Sequence, residues 1–264
     1  MEGKKRTMPR TARKKSESGI YHVIVRGINR QDIFHDAEDR IRYLDTLKRI
    51  TEENIAEVLG YCIMSNHIHM IIKQGEADIS LLMKRLGTSY AYWYNLKYQR
   101  CGHVFQDRFK SENVEDERYL ITVVRYVHLN PVKAQIVKKP EEYIWSSCRA
   151  YYGYPEYPPE LAQVSLVLDL FAGQKEKAIE SLRQFHAEDN EDSCLEDEQK
   201  KRLNDDLALN MINKKLKGQS ISSLQQMSQM ERREAIKQLK NIEDLSIRQI
   251  VRITGLTYYE VYKA

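Results

Sequence analysis

The chain has 264 residues with a formal net charge of +4, and 42% of its residues are hydrophobic and 30% charged, which is typical of a soluble globular protein with one medium and one smaller domain. No apolar run approaches the ~18 residues that cross a bilayer, and no apolar segment follows the basic N-terminus as a secretory signal would require, so we expect no membrane association. The four cysteines are widely spaced and form no CxxC pair, which favours a reducing cytoplasm over a disulfide scaffold.

Positive charge is concentrated in the first part of the chain. Residues 1–150 carry 26 lysines and arginines against 19 acids, whereas the remainder is acidic overall. The basic side chains of the first fifteen residues are Lys4, Lys5, Arg6, Arg10, Arg13, Lys14 and Lys15. Such an arm either contacts a phosphate backbone or is a solvated tail, and both interpretations stay open.

The strand signals come early in the chain. Alternating, β-branched segments predict strands over 19–27, 56–64 and 67–74, the last two joined by a tight turn. Residues 103–115 are predicted to form a hairpin or an extended segment.

Helical signals alternate with these strands. Apolar spacings of three and four residues predict helices over 37–54, 79–100 and 116–130, and Pro131 is expected to stop the last one. The order predicts an α+β fold: a ferredoxin-like split βαβ domain with an antiparallel sheet, followed by a mostly helical C-terminal region.

The rest of the chain changes in character. Residues 164–186 and 199–240 have helical patterns, and the acid-rich segment 186–198 is expected to be a solvated connector. The end of the chain is typical of a helix-turn-helix, with Ser246 as a helix cap and Gly255 in the turn; an ordinary αα-hairpin is the alternative. The predicted domains are a basic arm at 1–18, a catalytic domain at 19–153, a helical segment with an acidic linker at 154–198, and a helical domain at 199–264.

Two histidines stand out in the predicted strand "HIHMIIKQ". Side chains alternate along a strand, so His67 and His69 share one face and could ligate the same divalent ion. A pair of surface histidines without a metal is the alternative.

The predicted helix 116–130 offers partners for this pair. Its apolar stripe is separate from a second stripe formed by Tyr119, Thr122, Tyr126 and Asn130. The amide oxygen of Asn130 suits Mg²⁺ or Mn²⁺ as a third ligand, and the Tyr126 phenol would lie about one turn away, as a nucleophile towards a metal-bound phosphodiester. A Tyr126 that merely packs on the sheet is the alternative. His128 is expected to face elsewhere.

Three separated segments carry a resemblance to a known family. "SNHIHMII", "HVFQDRFKSENVEDERYLITVVRYVHLNPVKA" and "WSSCRAYYGY" together resemble the single-tyrosine HUH transposase superfamily, and most closely its REP-associated tyrosine transposase branch. The resemblance covers roughly residues 8–153. The C-terminal segment is similar to the helix-turn-helix of bacterial replication initiators.

The resemblance implies a function and a set of roles. His67 and His69 match the His-hydrophobe-His element, Tyr126 falls at the position of the nucleophile, and Asn130 falls at that of the third metal ligand. The implied enzyme nicks and rejoins single-stranded or hairpin DNA with a divalent metal, through a 5′-phosphotyrosine and a free 3′-OH. Such an enzyme is expected in the cytoplasm, associated with the nucleoid. A monomer and a homodimer that exchanges tyrosine helices both stay open.

Cationic and aromatic residues between 79 and 110 suit single-stranded DNA, because cations pair with phosphates and rings stack on unpaired bases. The predicted DNA contacts are Arg26, Lys84, Arg85, Tyr92, Arg108 and Lys110. Two other functions remain as alternatives: a non-catalytic DNA-binding regulator, and a metal-dependent phosphodiesterase that uses water.

Overall fold

The computed structural model describes residues 14–190, 192–195, 205–216, 221, 223–242 and 245–264. Most of the predicted basic arm, residues 1–13, lies outside the described residues. The chain divides into two compact units, Met1–Leu195 and Glu196–Ala264. No helix in the described ranges is long and apolar enough to cross a membrane, and the four cysteines are free.

The first unit is built on one four-stranded antiparallel sheet. Its strands are β1 (Ile20–Arg26), β2 (Ala56–Ile63), β3 (His67–Gln74) and β4 (Lys110–Asn113), in the order β2-β3-β1-β4. Helix α1 (Ala37–Thr51) connects β1 to β2, and α2 (Ile79–Lys97) connects β3 to β4. This is the split βαβ arrangement that the order of elements predicts. Residues 103–115 supply the short edge strand β4 and no hairpin.

The two faces of the sheet differ in chemistry. One face packs against α1 and α2 and is apolar; its central-strand residues are Tyr21, Val23, Val25, Ile68, Met70 and Ile72. The opposite face contains His22, Arg26, His67 and His69 among aliphatic residues. Alternation along β1 and β3 therefore gathers the polar groups of both central strands on one side.

Helix α3 (Glu117–Lys133) covers that second face. Asp116 caps its start by accepting a hydrogen bond from the Tyr119 N–H, and its apolar stripe packs on the sheet through Leu120, Val123, Val124 and Val127. The expectation that the helix stops before Pro131 is wrong, because α3 continues through the proline. Only one backbone hydrogen bond is lost there, and the last turn is closed by the Ala134 N–H donating to the Asn130 carbonyl at 2.9 Å.

Short helices complete the first unit. They are α4 (Cys148–Tyr151), α5 (Ser165–Leu168) and α6 (Lys175–Ala187); the predicted helix 164–186 is thus broken in two. The expectation of a solvated connector holds only in part: Glu188 and Asp189 are exposed, whereas Asp192 and Cys194 contact the rest of the first unit. The Asp192 carboxylate pairs with the Arg125 guanidinium at 2.6 and 2.9 Å, and Cys194 is buried.

The second unit is helical. Its helices are α7 (Asp205–Lys215), α8 (Ser223–Gln226), α9 (Gln229–Lys240), α10 (Ile247–Thr254) and α11 (Tyr258–Lys263). Ser246 caps α10, and Gly255 follows that helix with a φ of 69°, a left-handed conformation that favours glycine. Thr257 caps α11, and both helices pack around Ile250 and Val261.

Candidate active site

The two predicted metal-ligating histidines lie side by side at the start of β3. Across the ladder, His67 pairs with Arg26 and His69 pairs with Ile24. The two imidazole centres are 5.0 Å apart. His69 is buried and His67 is half-buried, so the pair sits on the α3-facing side of the sheet with one ring nearer to the surface.

The ring of His67 is oriented by its neighbour in the turn. Its Nδ1 lies 2.6 Å from the Asn66 side-chain oxygen, which can only accept. Asn66 is itself held, because its amide nitrogen donates to the Arg30 carbonyl at 3.1 Å. This hydrogen bond engages Nδ1, so Nε2 is the nitrogen of His67 that could ligate a cation.

The ring of His69 is oriented by a residue that the sequence analysis missed. The Nδ1 of His69 lies 3.0 Å from the Nε2 of His22 on β1, and the two rings stack at 5.3 Å. Burial, and then the neighbouring His22, His67 and Arg26, hold the pKa of His69 well below its ordinary value. The imidazole is therefore neutral at physiological pH, as a metal ligand must be.

His22 is in turn bound to Glu112 on β4, with 2.7 Å between its Nδ1 and a carboxylate oxygen. The sequence contains a signal for both residues. Alternation within "GIYHVIVRG" puts His22 on the face of Arg26, and Glu112 is the direct cross-strand partner of His22. That signal can be read only once the strand order is known, because it depends on β1 lying between β3 and β4.

Tyr126 lies against this histidine cluster. Its ring centre is 5.7 Å from that of His69 and 6.0 Å from that of His22, edge-on to both, and the side chain is buried. The Nζ of Lys133 is 4.8 Å from the centre of the same ring. One chain thus brings together the predicted nucleophile and the predicted histidine pair.

Asn130 lies one turn further along α3. Its amide nitrogen donates to the Tyr126 carbonyl at 2.9 Å. Among the described residues no hydrogen bond joins Asn130 to either histidine, and its side-chain oxygen accepts none. The amide is held by its nitrogen, which leaves the oxygen as the atom that could ligate a hard cation.

Tyr119 shares the helix stripe of Tyr126 but has a different environment. Burial, and then the neighbouring Glu112 carboxylate, raise the pKa of its phenol well above the ordinary value. A phenol that gives up its proton so reluctantly is a poor nucleophile. Tyr119 is therefore a natural comparison for Tyr126.

These donors fit a divalent cation. Two imidazoles each have Nδ1 engaged in a hydrogen bond, and a side-chain amide oxygen lies on the adjacent helix. Metal-ligating histidines typically have their second ring nitrogen bonded in this way.

A second buried histidine cluster lies apart from this site. His128 hydrogen-bonds to His186 and Ser147, and candidate ligand atoms of His128, Cys148 and His186 lie within 4.8 Å of one another. The ring nitrogens are already paired in a chain: Tyr152 hydroxyl to His186 at 2.6 Å, His186 to His128 at 3.3 Å, and His128 to the Ser147 hydroxyl at 2.9 Å. Because every nitrogen has a partner, we interpret this cluster as a hydrogen-bonded core.

The predicted DNA contacts fall into separate groups. Lys110 pairs with Ile24 across the ladder, so Lys110 and Arg26 both lie on the face that carries the histidines. Lys84 and Arg108 instead line a largely apolar cavity of about 410 Å³ on the α2 side, together with Met83, Phe105 and Phe109.

The other two predicted contacts have different surroundings. Arg85 forms a two-pronged ion pair with Glu53, at 2.6 and 2.7 Å. Tyr92 is 74% exposed, so its ring is open to a stacking base.

A split βαβ sheet with a His-hydrophobe-His strand beside a tyrosine-bearing helix defines the class of single-tyrosine HUH proteins, and comparison with known proteins agrees. Residues 15–130 match the family model described as Transposase IS200 like. This part of the chain is therefore similar to the IS200-like transposases. No curated protein matches the chain.

Two solved structures are similar to the chain. One is a REP-associated tyrosine transposase bound to a REP hairpin, at 17% identity over 60% of this chain and 96% of that chain, with a TM-score of 0.48. The other, from Deinococcus radiodurans R1, is provisionally assigned as a transposase, at 17% identity over 48% of this chain and 92% of that chain, with a TM-score of 0.31. Neither likeness is strong enough to carry an argument.

Proposed function

We propose that this protein nicks and transfers single-stranded or hairpin DNA through a covalent 5′-phosphotyrosine at Tyr126. The observation that carries the proposal is the placement of the buried Tyr126 ring 5.7 Å from His69 within one chain. The similarity of residues 15–130 to the IS200-like transposases supports it independently.

The chemistry requires one nucleophile and one leaving group. The Tyr126 phenolic oxygen attacks the phosphorus of the scissile phosphodiester and forms a P–O bond, while the bond to the 3′ oxygen breaks. The phenol loses its proton to solvent and the departing 3′ oxygen gains one. Because the tyrosyl phosphodiester replaces the original one, a DNA 3′-OH can reverse the step or join a new strand without an external energy source.

Mg²⁺ or Mn²⁺ would be held by the Nε2 atoms of His67 and His69 and by the side-chain oxygen of Asn130. When bound, such an ion withdraws negative charge from the phosphate and makes phosphorus more electrophilic. Lys133, beside the Tyr126 ring, favours the negative charge that builds on the attacking oxygen.

DNA would be bound mainly through its backbone. Arg26 and Lys110 would contact phosphates near the histidines, and Lys84 and Arg108 would do so on the α2 side, with Arg85, Tyr92 and the basic arm as further contacts. A hairpin with a single-stranded extension is the substrate to test first, because it offers both forms of DNA that the proposal names. A single chain carries all the proposed catalytic groups, so the enzyme would act without exchanging helices with a second copy.

Covalent trapping tests the proposal. The substrate is a hairpin with a single-stranded extension, labelled only at its 3′ end. It is incubated with the protein and Mn²⁺, and the products are separated on a denaturing gel. We expect a labelled protein–DNA adduct that is lost in Tyr126→Phe and retained in Tyr119→Phe. Equal adduct with both variants would disprove the nucleophile, and cleavage with no adduct would point to water as the attacking group.

A DNA-binding regulator is the second candidate, and the capped α10–Gly255–α11 pair favours it. A regulator would bind DNA with a steep salt dependence and would be indifferent to EDTA and to Tyr126→Phe. The nicking enzyme would lose cleavage under both treatments.

A further inference from the structure

Three ionisable side chains form a line across three adjacent strands. The carboxylate of Glu112 on β4 is 2.7 Å from the Nδ1 of His22 on β1, and the Nε2 of His22 is 3.0 Å from the Nδ1 of His69 on β3. His22 is completely buried. A buried imidazole is costly unless its polar atoms are paired, and here both nitrogens are paired within the line.

The hydrogen bonds of this line are all donated towards Glu112, because a carboxylate can only accept them. Glu112 also accepts a hydrogen bond from the Leu195 N–H at 2.7 Å. Although burial acts to raise its pKa, the hydrogen bonds from His22 and Leu195 lower it overall, so the group is a carboxylate. Because a carboxylate can only accept, Nδ1 of His22 donates to Glu112. Nε2 of His22 is then the acceptor of the second hydrogen bond, and Nδ1 of His69 is its donor.

We propose that Glu112 and His22 are positioning residues that hold His69 in the Nδ1–H form, with the lone pair of Nε2 directed to the cation. This inference rests on the proposed metal site. For His67 a single hydrogen bond, from Nδ1 to the Asn66 side-chain oxygen, holds the proton on Nδ1. The proton of His67 is therefore positioned by a turn residue, and that of His69 by two residues on neighbouring strands.

The relay is held rigidly at its far end. Leu195 belongs to the segment that Asp192 ties to α3 through its ion pair with Arg125, and that segment closes over Glu112. The stacking of His22 on His69, with 24° between the ring planes, restricts rotation of both rings. A ligand held in this way needs less reorganisation when a cation binds.

Mn²⁺ affinity of the full chain, measured by calorimetry, is the first readout. We expect Glu112→Gln to weaken binding roughly 10–100-fold, as loss of such outer partners typically does, because an amide can also donate and no longer fixes the His22 proton. His69→Ala should abolish binding, and Glu57→Gln on the exposed edge of β2 should leave it unchanged. Thermal melting establishes that each variant is folded.

The tautomer of His69 is the second readout, measured by ¹⁵N NMR of histidine-labelled protein without metal. We expect the Nδ1–H form in the wild type and a mixture or the Nε2–H form in Glu112→Gln. An unchanged tautomer, or a Glu112→Gln variant that binds Mn²⁺ as tightly as the wild type, would overturn the relay. If the wild type and His69→Ala bind Mn²⁺ equally, the proposed metal site fails, and the tautomer measurement still decides for or against the relay.

Discussion

The Nζ of Lys133 lies 4.8 Å from the centre of the Tyr126 ring, seven residues back on the same helix. This contact exists because α3 continues through Pro131 for one more turn. A helix that ended at Asn130 would leave the lysine on a loop. The proline thus does not end the helix that carries the proposed nucleophile, and the turn beyond it adds a cation beside the phenol.

Removing this cation should slow the covalent step. The lysine affects the rate through the part of its interaction that grows as negative charge builds on the phenolic oxygen. With that part at about 0.5–2 kcal/mol, the range for a cation over an aromatic ring, Lys133→Met should slow adduct formation between about twofold and thirtyfold. Lys133→Arg should retain most of the rate. Single-turnover trapping measures both variants, and an unchanged rate in Lys133→Met would rule out a role for this charge.

Mixing two inactive variants tests whether the site is complete in one chain. Tyr126 and His69 face each other within a single copy, so Tyr126→Phe mixed with His69→Ala should form no adduct. Each variant alone provides the control. Recovery of adduct in the mixture would mean that two copies exchange their tyrosine helices.

Stability should fall as the pH drops below neutrality. Burial, and then the nearby Arg125 and Arg183, lower the pKa of His186 to about 3 from the ordinary 6.5. On acidification, His186 takes up a proton near pH 6.5 in the unfolded chain but only near pH 3 in the native state. The contribution of this group to the free energy of unfolding is therefore complete above pH 6.5 and is lost progressively between pH 6.5 and about pH 3. From pH 6.5 to 5 we expect a loss of about 2 kcal/mol from this group.

Urea unfolding at pH 7 and pH 5 measures this loss. In His186→Gln the difference between the two pH values should shrink, whereas His103→Gln, on the surface, should retain it. His128 has its pKa lowered in the same direction, by burial and by His186, so the total fall exceeds that from one histidine.

The ion pair between Arg125 and Asp192 should contribute strongly to stability. The Arg125 side chain is 9% exposed and that of Asp192 is 12% exposed, and removing one partner of a buried pair leaves an uncompensated charge that costs about 3–5 kcal/mol. Asp192→Ala should lower the free energy of unfolding by about 2–4 kcal/mol. This is slightly below that range because the pair is not fully enclosed and because Glu188 also lies 3.5 Å from the Arg125 guanidinium. Glu57→Ala, which removes the exposed pair with Lys73, should cost under about 1 kcal/mol.

Two neighbouring cations on α2 should differ in their effect on DNA binding. Lys84 is exposed, so Lys84→Ala should reduce the slope of log Kd against log salt by about 1. Arg85 is already paired with Glu53, so Arg85→Ala should reduce this slope by clearly less than Lys84→Ala does. Hairpin binding titrated at several salt concentrations compares the two, and equal slopes would contradict the proposed phosphate contact of Lys84.

Much of the first unit could be predicted from local patterns. Strand alternation and helix spacing gave the order of elements, and that order gave the sheet topology. The shared face of His67 and His69 follows from strand geometry alone. Helical spacing likewise places Tyr126 on a stripe of its helix separate from the apolar one. In the structure the two histidine rings are neighbours, and the Tyr126 ring lies beside that of His69.

The remaining parts depend on contacts between distant segments. The partnership of His22 with Glu112 requires the pairing of β1 with β4, which no local pattern encodes. The docking of the acidic segment depends on one buried arginine, and its composition alone indicated a solvated connector. The continuation of α3 past Pro131 went against a local preference, because packing of the helix on the sheet outweighs one missing hydrogen bond.

The contacts made by Asp192 and Leu195 define how far a fragment of the first unit has to extend. Trimming the protein at residue 153, where the family resemblance ends, would strip the counterion from Arg125 and the amide donor from Glu112. A fragment ending at 195 keeps both, and is the one to express for crystallisation with DNA.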